Sequence, residues 1–182
     1  MVQTSGQAGA ADYDIVIVGG GMVGISLALL LAQQHAEWKV LLLEAQAYEQ
    51  SDQHESRPSF DSRSTALSWS SRKIFSAAGL WSALQSHVSE IKKIHVSDRG
   101  HVGLTRISAE EAGVEALGYV IENRWIGAVL LEQLGATSVE VIAPERVAKV
   151  VAMKSKVRID LENSGETIQT SLLVIADGAN SK

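Results

Sequence analysis

The sequence lacks several residue types, and each absence excludes a class of protein. It contains no cysteine, which excludes disulfides, thiolate zinc sites and cysteine nucleophiles. Only 2 of the 182 residues are proline and 46% are apolar, which excludes a collagen-like or low-complexity chain. There is no excess of positive charge, because 16 Lys and Arg stand against 21 Asp and Glu. We therefore expect a globular, cytoplasmic protein of one domain, or one domain with an insertion, and no nucleic-acid partner.

A targeting signal and a membrane helix are both disfavoured. Residues 1–11 have neither a basic segment nor an apolar one, so we interpret them as a flexible leader. Residues 15–34 carry no charge, and Gly20 and Gly24 form a GxxxG pair, which leaves a membrane helix as an alternative. Gly19, Gly20, Gly21 and Gly24 would destabilise such a helix near its centre. A buried strand, a glycine turn and a helix fit this stretch better.

The glycines form a G-x-G-x-x-G pattern between a predicted strand, Tyr13–Val18, and a predicted helix, Met22–His35. In this pattern Gly19, Gly21 and Gly24 would allow a tight turn, close approach to a diphosphate, and close packing of helix on strand. Glu44 ends the next predicted strand, Lys39–Glu44, where a carboxylate can accept hydrogen bonds from ribose hydroxyls. The pattern predicts dinucleotide binding; the alternative is a glycine turn that binds nothing, with Glu44 merely solvated.

The order of the later elements favours a flavin nucleotide over a nicotinamide one. After Glu44 we predict a loop to residue 62, a helix over Thr65–Ala78, and antiparallel strands before Glu122. The next strand predicted to be covered on both faces of the sheet is Leu172–Ala176. This predicts an α/β fold: a Rossmann-like FAD-binding domain over 12–182, with a βαβ start and a partly antiparallel insertion. Residues 88–122 would contribute strands of a substrate-domain sheet.

Three further positions each have two interpretations. Arg63 lies just before the predicted helix, where a cation is unfavourable unless an anion shares the site, so it binds either a diphosphate or Asp61. Asn123 is a plain helix cap for the helix predicted from Arg124, or a cap that also touches the cofactor. Asp177 and Gly178 form a simple turn or part of the site. His95, Asp98 and His101 do not make a convincing metal site, and we predict none.

These residues resemble the class A flavoprotein aromatic hydroxylases. The resemblance rests on Gly19–Gly24 with Glu44, on Arg63 followed by Leu67, and on Ala176–Ser181, which is similar to the second dinucleotide motif of that family. The segments Phe60–Ser68, His95–Gly103 and Gly118–Gly127 resemble its ubiquinone-biosynthesis branch. The resemblance covers about residues 12–182. Family members are considerably longer, and their second motif continues to an arginine, so we expect an N-terminal fragment, incomplete at its C-terminus and inactive by itself.

The resemblance also implies roles for individual residues. Gly19, Gly21 and Gly24 would bind the FAD diphosphate, and Glu44 the adenosine ribose. Arg63 and Asn123 would contact the middle of the cofactor. The backbone of Val147 would meet the adenine, while Asp177, with Gly178, would serve FAD and the approaching nicotinamide nucleotide.

The activity implied is an FAD- and NAD(P)H-dependent monooxygenase that hydroxylates a polyprenylated phenol with O2. The cofactor supplies the chemistry, so no catalytic side chain is predicted. Such a substrate implies peripheral contact with the inner membrane and association with other ubiquinone-biosynthesis proteins. The alternatives are a non-catalytic nucleotide-binding module and a flavin hydroxylase for a small soluble aromatic acid.

Overall fold

The computed structural model describes residues 11–48, 60–97 and 103–178. The strands are β1 (Ala11–Val18), β2 (Val40–Leu43), β3 (Ser64–Ser68), β4 (Ser89–Ile91), β5 (Lys93–Ser97), β6 (Leu104–Ser108), β7 (Gly118–Glu122), β8 (Glu140–Ile142), β9 (Val147–Ala152), β10 (Val157–Leu161) and β11 (Thr167–Ile175). The α-helices are α1 (Met22–Gln34), α2 (Trp69–Ala77), α3 (Trp81–Leu84) and α4 (Asn123–Gly135). The chain divides into two compact units, the second formed by residues 51–135 and the first by the remainder.

The first unit is built on a six-stranded sheet with the order β8-β2-β1-β11-β10-β9. β8, β2, β1 and β11 run parallel, whereas β11, β10 and β9 pair antiparallel. β1 and β2 contain short apolar runs that are buried, as expected of strands covered on both faces. One face of the sheet packs into a core made of Val16, Leu41, Leu43, Ile159, Leu161 and Ile168.

Helix α1 packs against β1 and β2. It buries Ile25, Ala28 and Leu29. The predicted strand–turn–helix–strand start is therefore confirmed, and 15–34 is not one continuous helix. No helix in the described part of the chain is long and apolar enough to cross a membrane.

Strand β11 corrects one expectation. The sequence predicts that Leu172–Ala176 is covered on both faces, yet the side chains of Leu172 and Ile175 are 52% and 53% exposed. The strand is apolar as predicted and it pairs with β1 along its length. Leu172 and Ile175 point to opposite faces of the strand, so neither face of β11 is fully covered within the first unit.

The second unit contains the antiparallel insertion predicted after Glu44. Its three-stranded sheet has the order β3-β7-β4, and β5 pairs with β6 as a separate two-stranded ribbon. The apolar spacing in Arg124–Leu134 predicts a helix with a buried stripe of Trp125, Ile126, Val129, Leu130 and Leu134, and α4 buries the last four of these. Trp125 was expected on the same buried stripe, but it is 37% exposed and stacks on His87, with ring centroids 3.8 Å apart.

The helix predicted over Thr65–Ala78 is wrong in its first part. Residues Ser64–Ser68 form β3, which pairs antiparallel with β7, and α2 begins only at Trp69. Ser68 caps α2, because its hydroxyl accepts a hydrogen bond of 3.1 Å from the Ser71 amide. The predicted end is confirmed: Gly79 has a φ of 71° and follows the helix in a Schellman motif, with the Leu80 amide donating to the Phe75 carbonyl.

Candidate functional site

The glycine turn lies between β1 and α1, where two of its glycines are required by close backbone contacts. Gly19 has a φ of 110°, and a Cβ placed on it would lie 2.4 Å from the Ala176 carbonyl oxygen. A Cβ on Gly24 would lie 1.8 Å from the Gly19 carbonyl oxygen. Any side chain at either position would therefore push α1 or β11 away from the turn.

The N-terminus of α1 is open to an anion. Gly21 is the N-cap residue and supplies no side-chain cap, and the first turn of the helix contains no acidic residue. The amide groups of a first helical turn lack partners within the helix and carry partial positive charge. Among the described residues this is the place best suited to the diphosphate of a dinucleotide.

Glu44 directly follows β2 and reaches the glycine turn. Its carboxylate accepts hydrogen bonds from the Gly20 amide at 2.6 Å and from the Gln46 amide at 2.9 Å. Glu44, the residue predicted to bind the ribose, thus lies beside the turn, and two backbone amides hold its carboxylate in place. A carboxylate has about four acceptor positions, so two sugar hydroxyls can still donate to it.

Asp177 and Gly178 lie at the same edge of the sheet as the turn. β11 runs parallel to β1, and the Ala176 amide donates to the Val18 carbonyl at 2.7 Å. Asp177 is exposed, and Gly178 has a φ of 78°. Residues from both ends of the described chain therefore meet at the carboxyl edge of parallel strands, which is where open α/β sheets bind ligands.

Val147 is the first residue of β9, and it packs against the sheet core. The residue two positions earlier, Glu145, donates its amide to the Glu44 carbonyl at 2.7 Å. Val147 therefore lies two residues after Glu145, whose backbone contacts Glu44, the residue predicted to bind the ribose.

Arg63 and Asn123 lie in the second unit, where Asp61 joins them. Asp61 accepts hydrogen bonds from the Arg63 side chain at 2.5 Å and from the Asn123 amide group at 3.2 Å. The Asn123 side-chain oxygen accepts from the Thr65 hydroxyl, also at 2.5 Å. Desolvation acts to raise the pKa of Asp61, but the hydrogen bonds from Arg63 and Asn123 outweigh it and lower that pKa.

One expectation for this pair needs correction. Arg63 precedes strand β3 instead of a helix, so no helix dipole opposes its charge, and its side chain contacts Asp61. Asn123 is the first residue of α4, and its buried side chain bridges Asp61 and Thr65. Any role of either residue toward a cofactor stays a prediction.

Two residues of the first unit were missed by the sequence reasoning. Tyr48 donates its hydroxyl to the Gly20 carbonyl at 3.1 Å, and Glu145 is a buried carboxylate beside Glu44. The segment that contains Tyr48 shows no periodicity, so its sequence carries no signal. For Glu145 the only signal in the sequence was its position, directly after Pro144 and just before a strand. Within the described residues, no group of three or more histidine or acidic side chains is arranged to hold a metal ion.

Comparison with known proteins agrees with this geometry. Residues 14–59 match the family model described as FAD dependent oxidoreductase. The chain superposes on p-nitrophenol 4-monooxygenase PnpA from Pseudomonas putida with a TM-score of 0.73 at 19% identity, covering 94% of this chain and 42% of that one. The fold is the FAD-binding fold of flavoprotein monooxygenases. Anhydrotetracycline hydroxylase OxyS from Streptomyces rimosus shares it, with a TM-score of 0.74 at 18% identity over 93% of this chain and 32% of that one.

Sequence relatives confirm the predicted resemblance to the ubiquinone-biosynthesis branch of flavoprotein hydroxylases. The ubiquinone biosynthesis monooxygenase COQ6 of Caenorhabditis elegans is 34% identical over 93% of this chain. The 3-demethoxyubiquinol 3-hydroxylase of Escherichia coli is 32% identical over 93%, and the ubiquinone hydroxylase UbiL of Rhodospirillum rubrum 30% identical over 96%. The predicted cofactor, FAD, agrees with the matching family. The chain spans 39% to 42% of the length of these relatives.

Proposed function

We propose that this chain forms the FAD-binding part of a flavin-dependent monooxygenase of the ubiquinone hydroxylase type. The observation that carries the proposal is the meeting of three features at one sheet edge: the glycine turn, the uncapped start of α1, and Glu44. Gly19 and Gly24 have the close backbone contacts that keep such a turn free of side chains. These residues fit a dinucleotide diphosphate with its adjoining sugar.

The chemistry of the cofactor and of the residues around it suggests a role for each. A bound flavin would supply the redox chemistry: two electrons would come from a reduced nicotinamide nucleotide, and one oxygen atom of O2 would go to the substrate while the other would leave as water. The start of α1 would neutralise the diphosphate, and Glu44 would orient the sugar through its hydroxyls. Its negative charge disfavours a nucleotide that carries a 2′-phosphate at that sugar. Arg63, Asn123, Val147 and Asp177 with Gly178 keep the roles that the resemblance gives them, as part of this proposal.

The substrate and setting of the whole protein are also proposed. NAD(P)H would be the reductant and a polyprenylated phenol of the 2-octaprenyl-6-methoxyphenol kind the substrate, as the resemblance to the ubiquinone-biosynthesis branch implies. The relatives' own names support only the coarser statement that they are a ubiquinone-biosynthesis monooxygenase and a 3-demethoxyubiquinol hydroxylase. Residues 88–122, which include β4 to β7, would supply part of the substrate-domain sheet. The protein would be cytoplasmic. A lipid-like substrate would bring it to the face of the inner membrane, and it would contact other proteins of ubiquinone biosynthesis there.

The first experiment titrates FAD into the purified 182-residue chain and follows quenching of flavin fluorescence. Saturable binding is expected, and Glu44→Gln should weaken it about tenfold because a charged acceptor is lost. Glu37→Gln serves as the control, since Glu37 is an exposed residue beside His35. No quenching at any FAD concentration would refute the proposal for this chain.

The second experiment uses a longer protein that contains this chain. Consumption of NAD(P)H and O2 should be stimulated by a polyprenylated phenol, with a hydroxylated product found by mass spectrometry. Stimulation only by small soluble aromatic acids would favour the alternative hydroxylase, and FAD binding with no turnover would favour a non-catalytic module.

A further inference from the structure

Tyr48 lies directly against the glycine turn, although no pattern in the sequence assigns it a role. Its hydroxyl donates to the Gly20 carbonyl at 3.1 Å, and a Cβ placed on Gly20 would lie 1.7 Å from the hydroxyl oxygen. Gly20 is a variable position of the G-x-G-x-x-G pattern and has no positive φ. A side chain at this position would meet both Tyr48 and Glu44.

Glu44 and Tyr48 approach Gly20 from the same side. The Cβ of Glu44 lies 2.9 Å from the position of that added Gly20 Cβ, and the Glu44 carboxylate binds the Gly20 amide at 2.6 Å. The two side chains thus hold both polar groups of one residue, Glu44 its N–H and Tyr48 its carbonyl. Gly20 thus brings Tyr48 close to Glu44, the residue predicted to bind the sugar.

We propose that Tyr48 is a further residue of the nucleotide site, and that its ring forms a wall beside the sugar held by Glu44. This inference rests on the proposed function, because it requires a nucleotide at the glycine turn. A tyrosine suits the role because its hydroxyl is anchored to the backbone while the apolar ring offers contact area. Tyr48 is half-buried, and its hydroxyl is already held by the Gly20 carbonyl.

A purely structural role for Tyr48 makes a different prediction. If the residue only shapes the turn, its removal disturbs the diphosphate amides and the sugar contact together. If it contacts the sugar, its removal weakens only ligands that contain the sugar. Inorganic pyrophosphate and ADP separate these two cases, since only ADP carries a ribose and a base.

The experiment measures ADP and FAD by isothermal titration calorimetry, and pyrophosphate by competition with ADP. The proteins are wild type, Tyr48→Ala and Tyr48→Phe, each tested at a temperature where circular dichroism shows it folded. Tyr48→Ala should bind ADP and FAD about tenfold more weakly, with pyrophosphate unchanged. Tyr48→Phe keeps the ring but loses its anchor, and should bind ADP about threefold more weakly.

Tyr13→Phe is the matched control, because its hydroxyl also donates within the first unit, to the Glu140 carboxylate at 2.9 Å. It should bind all three ligands like the wild type. Equal losses for ADP and pyrophosphate in Tyr48→Ala would overturn the inference, as would unchanged ADP binding, and either result would leave the proposed function standing. A wild-type chain that binds neither ADP nor FAD would instead refute the proposed function, and this inference with it.

Discussion

The backbone amide of Glu145 donates a hydrogen bond of 2.7 Å to the carbonyl oxygen of Glu44. The side chain of Glu145 meanwhile accepts from the amides of Arg146, Asn163 and Ser164, at 2.7, 2.8 and 3.0 Å. A buried carboxylate thus ties the residue proposed to hold the sugar to the turn between β10 and β11. The donors explain why a charged group is stable at a position only 2% exposed.

Replacing Glu145 by glutamine should destabilise the fold at neutral pH. Glutamine offers a single acceptor oxygen and brings an NH2 group toward backbone donors, so we expect a loss of about 2 kcal/mol in the free energy of unfolding. Urea denaturation measures the change. Glu162→Gln, at an exposed glutamate of the same turn region, is the control and should leave the urea midpoint near the wild-type value.

The stabilisation by Glu145 should also depend on pH. Burial acts to raise the pKa of Glu145, but hydrogen bonds from Asn163, Arg146 and Ser164 outweigh it, so the pKa lies below its ordinary value. A carboxyl with a lowered pKa stabilises the fold above its unfolded pKa, about 4.3, and that contribution is lost as the pH falls through the folded pKa. Denaturation at several pH values should show the gap between wild type and Glu145→Gln closing in acid. A gap that stays constant would contradict the lowered pKa.

Gly24→Ala should destabilise the first unit. The added methyl group would meet the Gly19 carbonyl oxygen at 1.8 Å, so α1 must shift away from β1, at a cost of about 1–3 kcal/mol. Thermal unfolding followed by circular dichroism tests this. Gly135→Ala is the matched control at the end of α4, where an added Cβ meets nothing within 4 Å. Equal unfolding temperatures for the two variants would show that the turn tolerates a side chain.

Local patterns in the sequence were enough to predict this first part of the fold. The apolar run of β1, the glycines and the acidic end of β2 are neighbours in sequence, and each constrains the next. Ser64–Ser68 was assigned wrongly because its state depends on β7, more than 50 residues away in the chain. A strand whose partner is distant has no local signature once its alternation is weak.

The other contacts that the sequence does not predict also join residues that are far apart in the chain. Trp125 lies on the apolar side of α4, and only the tertiary structure shows that it stacks on His87 at the surface. Asp61 was considered as a partner of Arg63 alone, whereas its link to Asn123 joins residues 62 positions apart. Glu145 and Tyr48 act through backbone groups of other segments, and no motif records such contacts.

Asn123→Ala should destabilise the second unit. Asn123 is 5% exposed, and its removal leaves the Thr65 hydroxyl and an Asp61 oxygen each without one hydrogen bond. The expected loss is about 1–3 kcal/mol in the free energy of unfolding, measured with urea. Gln133→Ala, at an exposed position of the same helix, provides the comparison. An equally small effect for both variants would mean that the bridge contributes nothing measurable.

Tyr119→Phe should leave stability unchanged or increase it by up to about 1 kcal/mol. The Tyr119 hydroxyl is buried with no hydrogen-bond partner in the described structure, and desolvation raises its pKa. Removing an unsatisfied polar atom while keeping the ring retains the edge contact with Trp81, whose centroid lies 4.7 Å away. The urea midpoint is the readout, and a clear decrease would reveal a partner for the hydroxyl.

The pairing of β1 with β11 sets an order of events during synthesis. β11 begins at Thr167, 149 residues after β1 ends at Val18, so the edge of β1 that pairs with β11 waits about 7–30 s at about 5–20 residues per second. Until then the nascent chain can assemble β1, α1 and β2, but the close contact between Gly19 and the Ala176 carbonyl cannot form. The glycine turn therefore takes its final packing only after β11 has been made, long after its own glycines.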